Sequence, residues 1–401
     1  MTTLRQMSRH LQLSLLLTAV LHGVPYAAAK AEDVIIAFVE MKRDARYVKR
    51  RTYAQYLTQA LGRPFAAVET ALKEVRFHGA ALGATFKLRR ISARDRDDLL
   101  AQIAEANDGG VSLFIVDLPA DLLHMVSKNH KARDLLFFNI SAREDLLRQA
   151  SCAANLLHVI PSDAMVMDAL AQFLAMRRWR KVLALVGPSE RDRAINQAFG
   201  RSAKRFGLKI VASKPFILNN DPRQRDKNNL VLITRSGDYD VVFVADGDGE
   251  FARDVPYATA RPRPVVGAEG LAATAWHWAW DRHGAPQLEN RFERAANRPM
   301  RDVDWAAWLS IKAVAEAVQS QTSTDFTILR AHLTSTALTL DGFKGNRLNF
   351  RPWNNQLRQP ILIGTHNRVI ARAPIDGFLH KDNNLDTLGF DQRESRCRLD
   401  G

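Results

Sequence analysis

The sequence has only two cysteines in 401 residues, Cys152 and Cys397, and neither sits in a Cys-x-x-Cys pair. That excludes a thiolate metal cage and a dithiol redox motif. It contains no Gly-x-x-x-x-Gly-Lys phosphate loop, no Gly-x-Ser-x-Gly elbow and no His-Glu-x-x-His helix, which removes the common signatures of nucleotide, serine-hydrolase and zinc chemistry. Beyond Leu21 no run is long and apolar enough for a membrane span, which takes about 20 residues. Linkers rich in proline or glycine, short-period repeats and low-complexity segments are also missing. Acid is absent before Glu32.

The N-terminus is correspondingly one-sided. Arg5 and Arg9 precede the apolar run Leu13–Leu21, and Ala27-Ala28-Ala29 follows. This is the order of a secretory signal peptide, expected over residues 1–29. The mature chain is then expected in the periplasm, where an even pair of cysteines forms a bridge, Cys152 to Cys397. Without Arg5 and Arg9 the chain keeps 55 Lys and Arg against 43 Asp and Glu, a net charge near +12. A basic balance of this size suits nucleic acid, an anionic membrane or an anionic small ligand. Export excludes nucleic acid, and the excess of arginine over lysine suits carboxylates.

The hydrophobic content of 46% supports a full core, and about 370 residues suffice for two domains. Val34–Val39, Ala84–Ile91, Val111–Val116 and Leu135–Phe138 read as strands. Phe65, Val68, Leu72 and Val75 fall at helical spacing between them, as do Leu99 and Ile103. The alternation restarts with Leu156–Ile160, Val182–Val186, Leu208–Ala212 and Val241–Ala245. Repeated strand–helix units specify α/β architecture with parallel sheets; two successive sets predict two doubly wound lobes. Trp305–Val318 reads as an amphipathic helix, Ile361–Ile363 and Val369–Ala371 as short strands, and the chain from Pro374 as an irregular tail.

In open α/β sheets ligands bind beyond the carboxyl ends of strands. Asp117, the segment Asn139–Arg143, the segment Gly187–Arg191 and Asp246 each follow a predicted strand, which makes Asp117, Asn139, Ser141, Ala142, Arg143, Arg191 and Asp246 candidate ligand contacts. Asp246–Glu250 lacks the spacing of a calcium loop. Trp276-His277-Trp278-Ala279-Trp280 places at least two indoles on one side of either a strand or a helix. Trp276 and Trp280 are therefore candidates for a stacking wall, with a core cluster as the alternative. His277 has no second ligand at coordinating spacing, so no metal is expected.

Several segments together resemble a known family. Asn139-Ile140-Ser141-Ala142, Cys152-Ala153-Ala154-Asn155, His158-Val159-Ile160-Pro161-Ser162, Trp179-Arg180-Lys181-Val182 and Gly267-Ala268-Glu269-Gly270 are similar to the type I periplasmic binding proteins of branched-chain amino-acid ABC transporters, over roughly residues 33–372. Thr274–Phe292, Asp304–Val318 and Gly342–Pro352 look like the branch that accompanies alcohol dehydrogenases dependent on pyrroloquinoline quinone (PQQ). The resemblance implies two lobes joined by three crossings, the first from residues 30–154 and 286–340, the second from 155–285 and 341–372, then a tail over 373–401. It implies a ligand carboxylate on Ser141-Ala142 and an ammonium on Glu269. Two departures stand out. Met41–Arg51 replaces the usual glycine-rich loop, and Asp246 replaces the usual aromatic residue.

The leading expectation is capture of a small anionic ligand, PQQ or a related aromatic acid, for delivery to an inner-membrane ABC permease. No cofactor is required and no catalysis is expected. The alternatives are an amino-acid-binding protein that uses Ser141 and Glu269, a periplasmic interaction protein docking on a dehydrogenase, and, last, an enzyme with Asp246 or Glu269 as base.

Overall fold

The computed structural model describes residues 32–49, 52, 61–81, 83–219 and 221–399; the expected signal peptide lies outside them. The first sheet contains β1 (Glu32–Met41), β2 (Ala84–Ala93), β3 (Leu113–Asp117), β4 (Leu136–Asn139) and β5 (Leu156–His158), interleaved with α1 (Phe65–Ala81), α2 (Arg96–Asp108) and α3 (Ala120–Asn129). Its strands are parallel, in the order β2-β1-β3-β4-β5. Such strands are buried on both faces, which is why their sequences are nearly continuous apolar runs. Val34, Ile36 and Phe38 face one core; Ala37 and Val39 face another, shared with α2 and α3.

The second sheet repeats the plan. After α4 (Asp163–Met176) come β6 (Lys181–Val186), α5 (Glu190–Arg205), β7 (Lys209–Pro215), α6 (Leu230–Arg235), β8 (Val241–Ala245), α7 (Val255–Ala258) and β9 (Val265–Gly267). The order β7-β6-β8-β9 is again parallel and doubly wound. Ser162 caps α4 through the Met165 N–H, and Ser189 caps α5 in a reciprocal box with Asp192, each satisfying amides that the first helical turn leaves without partners. Gly267 ends β9 at φ +110°, where a Cβ would lie 2.5 Å from the Val244 carbonyl, so only glycine fits.

The remaining elements complete both halves: β10 (Ala272–Thr274), α8 (Ala285–Ala296), α9 (Asp302–Gln321), α10 (Phe326–Leu333), β11 (Leu340–Asp341), β12 (Arg347–Leu348), β13 (Ile361–Thr365) and β14 (Arg368–Ala373). Helices α8 and α9 cover the first sheet, where Trp305 and Trp308 are fully buried. Strands β10, β13 and β14 form a small antiparallel sheet, and Ile361 and Ile363 enter the second sheet's core.

Packing moves the expected lobe boundaries. Strand β5 pairs with β4, and Leu157, Val159 and Ile160 join the first core, so the chain leaves the first half near residue 160 rather than 154. Ala275, Trp276 and Trp280 also belong to that core, which puts the return near 275 rather than 286. Leu348, Phe350 and Leu357 hold the first half until about 360, past the expected 340. In each case buried apolar side chains decide the boundary.

The tail is irregular in backbone but packed. Ile375 and Leu388 join the second core, and Cys397 is bonded to Cys152 in the β4–β5 connection. Asp386 is buried between Arg351 and Arg358, accepting from their Nε groups at 2.8 and 2.9 Å. Among the described residues no helix is long and apolar enough to cross a membrane.

Candidate functional site

The carboxyl ends of β1 and β3, where the strand order of the first sheet reverses, are the natural crevice of a doubly wound sheet. Here the protein's own side chains fill it. Asp117, fully buried at the end of β3, accepts from Tyr47 Oη at 2.7 Å and pairs with Arg46 at 3.0 Å. Burial pushes its carboxyl above the usual range, against the pull of Arg46. Arg46 also chelates Asp44, and Arg63 lies 5.0 Å from the centre of the Tyr47 ring. The corresponding crevice of the second sheet is closed by Asp192, which accepts from the Gly247 N–H at 2.6 Å.

The loop after β4 is likewise self-satisfied. Asn139 Oδ1 accepts from the N–H groups of Ser141 (3.1 Å) and Ala142 (2.9 Å). Its Nδ2 donates to the Ala142 carbonyl at 2.7 Å and lies 3.0 Å from His158 Nδ1. Ser141 Oγ donates to the Leu118 carbonyl at 3.2 Å. The amides and hydroxyl expected to hold a ligand carboxylate therefore fix the loop itself. Asp246 does the same after β8, accepting from the N–H groups of Gly249, Phe251 and Ala252 at 2.9–3.0 Å.

The two expected anion-binding arginines have internal partners. Arg143 donates to Asp302 at the start of α9, and the other oxygen of Asp302 accepts from the Trp276 N–H at 2.7 Å. Arg191 forms a fork with Asp163, at 2.6 Å for Nη2 to Oδ1. A guanidinium paired in this way has little left to offer a second carboxylate. Glu269 is half-buried and makes no hydrogen bond or ion pair among the described residues.

The tryptophans form no ligand wall. Trp276 is 2% exposed, donates to Glu289 Oε2 at 2.9 Å and stacks on Trp305 with centroids 6.4 Å apart. Trp280 is 7% exposed and donates to the Phe343 carbonyl. Only Trp278, 44% exposed, reaches the surface. The chain around 276–280 is neither strand nor helix, and the apolar demand of the first core draws in the outer two indoles.

A cavity of about 670 Å³ opens beside these loops, between the halves. The first half contributes Ala120, Asp121 and His124 of α3 and Glu144–Leu147 around the short 3-10 turn Asp145–Arg148. Asp163 opens α4; Ala194, Gln197, Ala198 and Arg201 come from α5; Phe390 of the tail completes the wall. Arg201 is tied to Asp168 at 2.7 Å and lies over the Phe390 ring. Burial, then the neighbouring charge of Asp163, pushes the Asp145 carboxyl up to about 6, although the Ala164 N–H and Arg148 pull the other way. Glu144 Oε2 and His124 Nδ1 are buried there without hydrogen-bond partners among the described residues. None of these wall residues is among the sequence-predicted contacts; Arg191, which is, pairs with Asp163 on the wall. Glu144 and Asp145 directly follow the expected Asn139–Arg143 segment and were within reach of that reasoning; Phe390 carried no signal.

Among the described residues no group of His, Cys, Asp and Glu is placed to hold a metal. No protein-family model and no curated protein matches the sequence. Solved structures do. A branched-chain amino-acid ABC transporter periplasmic ligand-binding protein from Burkholderia xenovorans LB400 aligns at TM-score 0.73 and 17% identity, covering 92% of this chain and 100% of that one. A solute-binding protein of an ABC transporter from R. palustris, in complex with benzoate, aligns at TM-score 0.63 and 11% identity, covering 92% and 100%. A leucine-, isoleucine-, valine-, threonine- and alanine-binding protein from Brucella ovis, in a closed conformation, aligns at TM-score 0.66 and 14% identity over 83% and 89%. The fold of this chain is that of the type I periplasmic binding proteins.

Proposed function

We propose that this protein is a periplasmic solute-binding protein of an ABC-type transport system, that it captures a small molecule between its two halves, and that it catalyses no reaction. The observation that carries the proposal is the 670 Å³ cavity walled by α3 and the 3-10 turn on one side and by α5 on the other. Its size falls in the range of roughly 300–1,000 Å³ common to small-ligand sites, and a wall drawn from both halves couples occupancy to their closure. Closure around solute then presents a surface to an inner-membrane permease. The structural neighbours named for amino acids and for benzoate support this reading.

PQQ as the ligand, with a link to alcohol oxidation, rests on the sequence resemblance. Its proposed holders, Arg143, Arg191, Trp276 and Trp280, are engaged inside the fold. A second reading, an interaction protein docking on a dehydrogenase, draws support from the self-filled crevices at Asp117 and Asn139. Native mass spectrometry of protein purified without refolding, followed by thermal-shift titration with PQQ, benzoate and leucine, separates these. A bound small molecule that is lost in Ala194→Trp, which fills the cavity, is the expected result. An empty protein that responds to none of the three favours the interaction reading.

A further inference from the structure

The cavity is not neutral toward charge. Its two arginine neighbours are already matched, Arg201 by Asp168 at 2.7 Å and Arg191 by Asp163 at 2.6 Å. Asp121 is matched by Arg96 at 2.9 Å, so the wall carboxylates left without a close cation are Glu144 and Asp145. Glu144, its side chain 38% exposed, has Oε1 in a loose 3.9 Å ion pair with Arg191, which is already forked to Asp163, while Oε2 is buried without a hydrogen-bond partner among the described residues. Asp145 Oδ1 accepts from the Ala164 N–H at 3.0 Å, and no cation lies within ion-pair distance of this carboxylate among the described residues. Arg148, the nearest cation in sequence, is spent elsewhere: it donates to Gln356 Oε1 and to the carbonyls of Ala142, Glu144 and Ile160. Ala120, Leu146, Leu147, Ala194, Ala198 and Phe390 supply an apolar part of the lining, beside the polar side chains of His124, Ser151 and Gln197.

A carboxylate held largely out of water with no cation in close contact, as at Asp145, is costly, and an incoming cation relieves that cost. An incoming carboxylate instead sets like charges together at low dielectric. The apolar remainder asks for a hydrocarbon or aromatic body. Resting on the cavity reading above, we infer that the ligand class is a small organic cation, an ammonium group on a short apolar body, with the ammonium at Glu144 and Asp145 and the body against Leu146, Ala194, Ala198 and Phe390. This reverses the charge expected from the chain's overall basicity.

Three probes of matched shape test it on the intact disulfide-bonded chain by calorimetry: 2-phenylethylammonium, 3-phenylpropionamide and 3-phenylpropionate. The ammonium is expected to bind at least about tenfold more tightly than the carboxylate, with the amide between. Glu144→Gln and Asp145→Asn, which keep shape and the acceptor for Ala164, are each expected to weaken the ammonium about tenfold and leave the amide unchanged. Thermal melts confirm that the variants fold. Carboxylate or amide binding that exceeds the ammonium and disappears in Ala194→Trp overturns the cation inference while leaving the cavity reading intact. Ammonium affinity indifferent to both substitutions also overturns it. Binding by none of the three overturns both.

Discussion

Lys344 Nζ donates to Gln359 Oε1 at 2.9 Å, and the same glutamine donates through Nε2 to the Val159 carbonyl at 2.7 Å. The ammonium also donates to the carbonyls of Ala275 and Pro360, each at 2.9 Å, and stands 3.7 Å from the centre of the Trp305 ring. Val159, Ala275 and Pro360 lie on the three segments where the chain passes between the two halves. One lysine and one glutamine thus pin all three passages together. Full burial pulls the lysine's pKa well below its ordinary value, but three carbonyl-type acceptors and a π face match the three N–H donors of an ammonium.

Lys344→Met keeps most of the volume and removes every donor. Two buried carbonyls and the Gln359 oxygen lose their partner, each at a cost of about 1–3 kcal/mol. The expected loss of stability is about 3–5 kcal/mol, read from denaturant unfolding with an unchanged slope. A change under about 1 kcal/mol means that water or rearrangement satisfies these groups, and that the junction does not hold the passages.

Trp276→Ala separates a core residue from a ligand wall. With the indole sandwiched against Trp305 and bonded to Glu289, its removal is expected to lower stability by about 3–5 kcal/mol. Trp276→Phe keeps the packing but takes the donor from Glu289 Oε2, leaving only the Met300 N–H on Oε1; burial already raises this carboxyl, and the change is expected to cost about 1–3 kcal/mol. Neither substitution is expected to change the affinity of any ligand that binds the cavity. A large affinity loss with stability intact restores the stacking-wall reading.

How much of this was legible in sequence follows from what each element needs. Val241–Ala245 is expected and found as a strand with the same ends, because a strand covered on both faces is apolar at every position. Trp305–Val318 is found within the longer Asp302–Gln321 helix, for its inward stripe repeats at helical spacing. The cysteine pair was readable from compartment and parity. The candidate cavity was not, and the reason is specific. An arginine just after a strand looks the same whether it awaits a ligand or an aspartate 159 positions away, as Arg143 does with Asp302. Phe390 reaches the cavity only because the tail folds back, and Trp276 is inside because α8 and α9 cover the first sheet; both are tertiary facts with no local pattern.

Two of the tail's anchors, Asp386 and the disulfide, make separable predictions. Asp386 is 1% exposed between two nearly buried guanidinium groups. Asp386→Ala leaves two buried cations without their anion and is expected to cost about 3–5 kcal/mol. The Cys152–Cys397 bond closes a separation of 245 residues; the chain-entropy model assigns up to about 5 kcal/mol to so long a loop. Alkylation of unreduced, denatured protein is expected to find no thiol. Reduction is expected to raise hydrogen exchange over residues 390–399 before the rest of the tail, since Asp386 anchors residues 385–388 independently. Simultaneous release of the whole tail means that the disulfide and the Asp386 cluster do not act separately.

Asp145 gives the protein a pH dependence whose sign is fixed by burial. Its carboxyl is pushed from 3.8 up to about 6, so the folded protein binds this proton more tightly than the unfolded chain does. Stability contributed by that proton is absent well above pH 6, where both states are ionised and the folded state bears the cost of a buried charge. It grows as pH falls through about 6 and is complete near pH 4. The full span is at most about 3 kcal/mol at about 1.4 kcal/mol per tenfold change in proton affinity. Asp145→Asn removes the charge while keeping an acceptor for the Ala164 N–H, so it is expected to be more stable than the parent at pH 7.5. The gap should narrow steadily between pH 7 and pH 5 and close near pH 4, as read by denaturant midpoints at each pH. Glu144, Asp163, Arg148 and Arg201 surround the group and are common to both proteins, so the difference curve isolates Asp145. A gap that widens on acidification means that the carboxylate is stabilised in the folded state, with Arg148 or Arg201 outweighing burial.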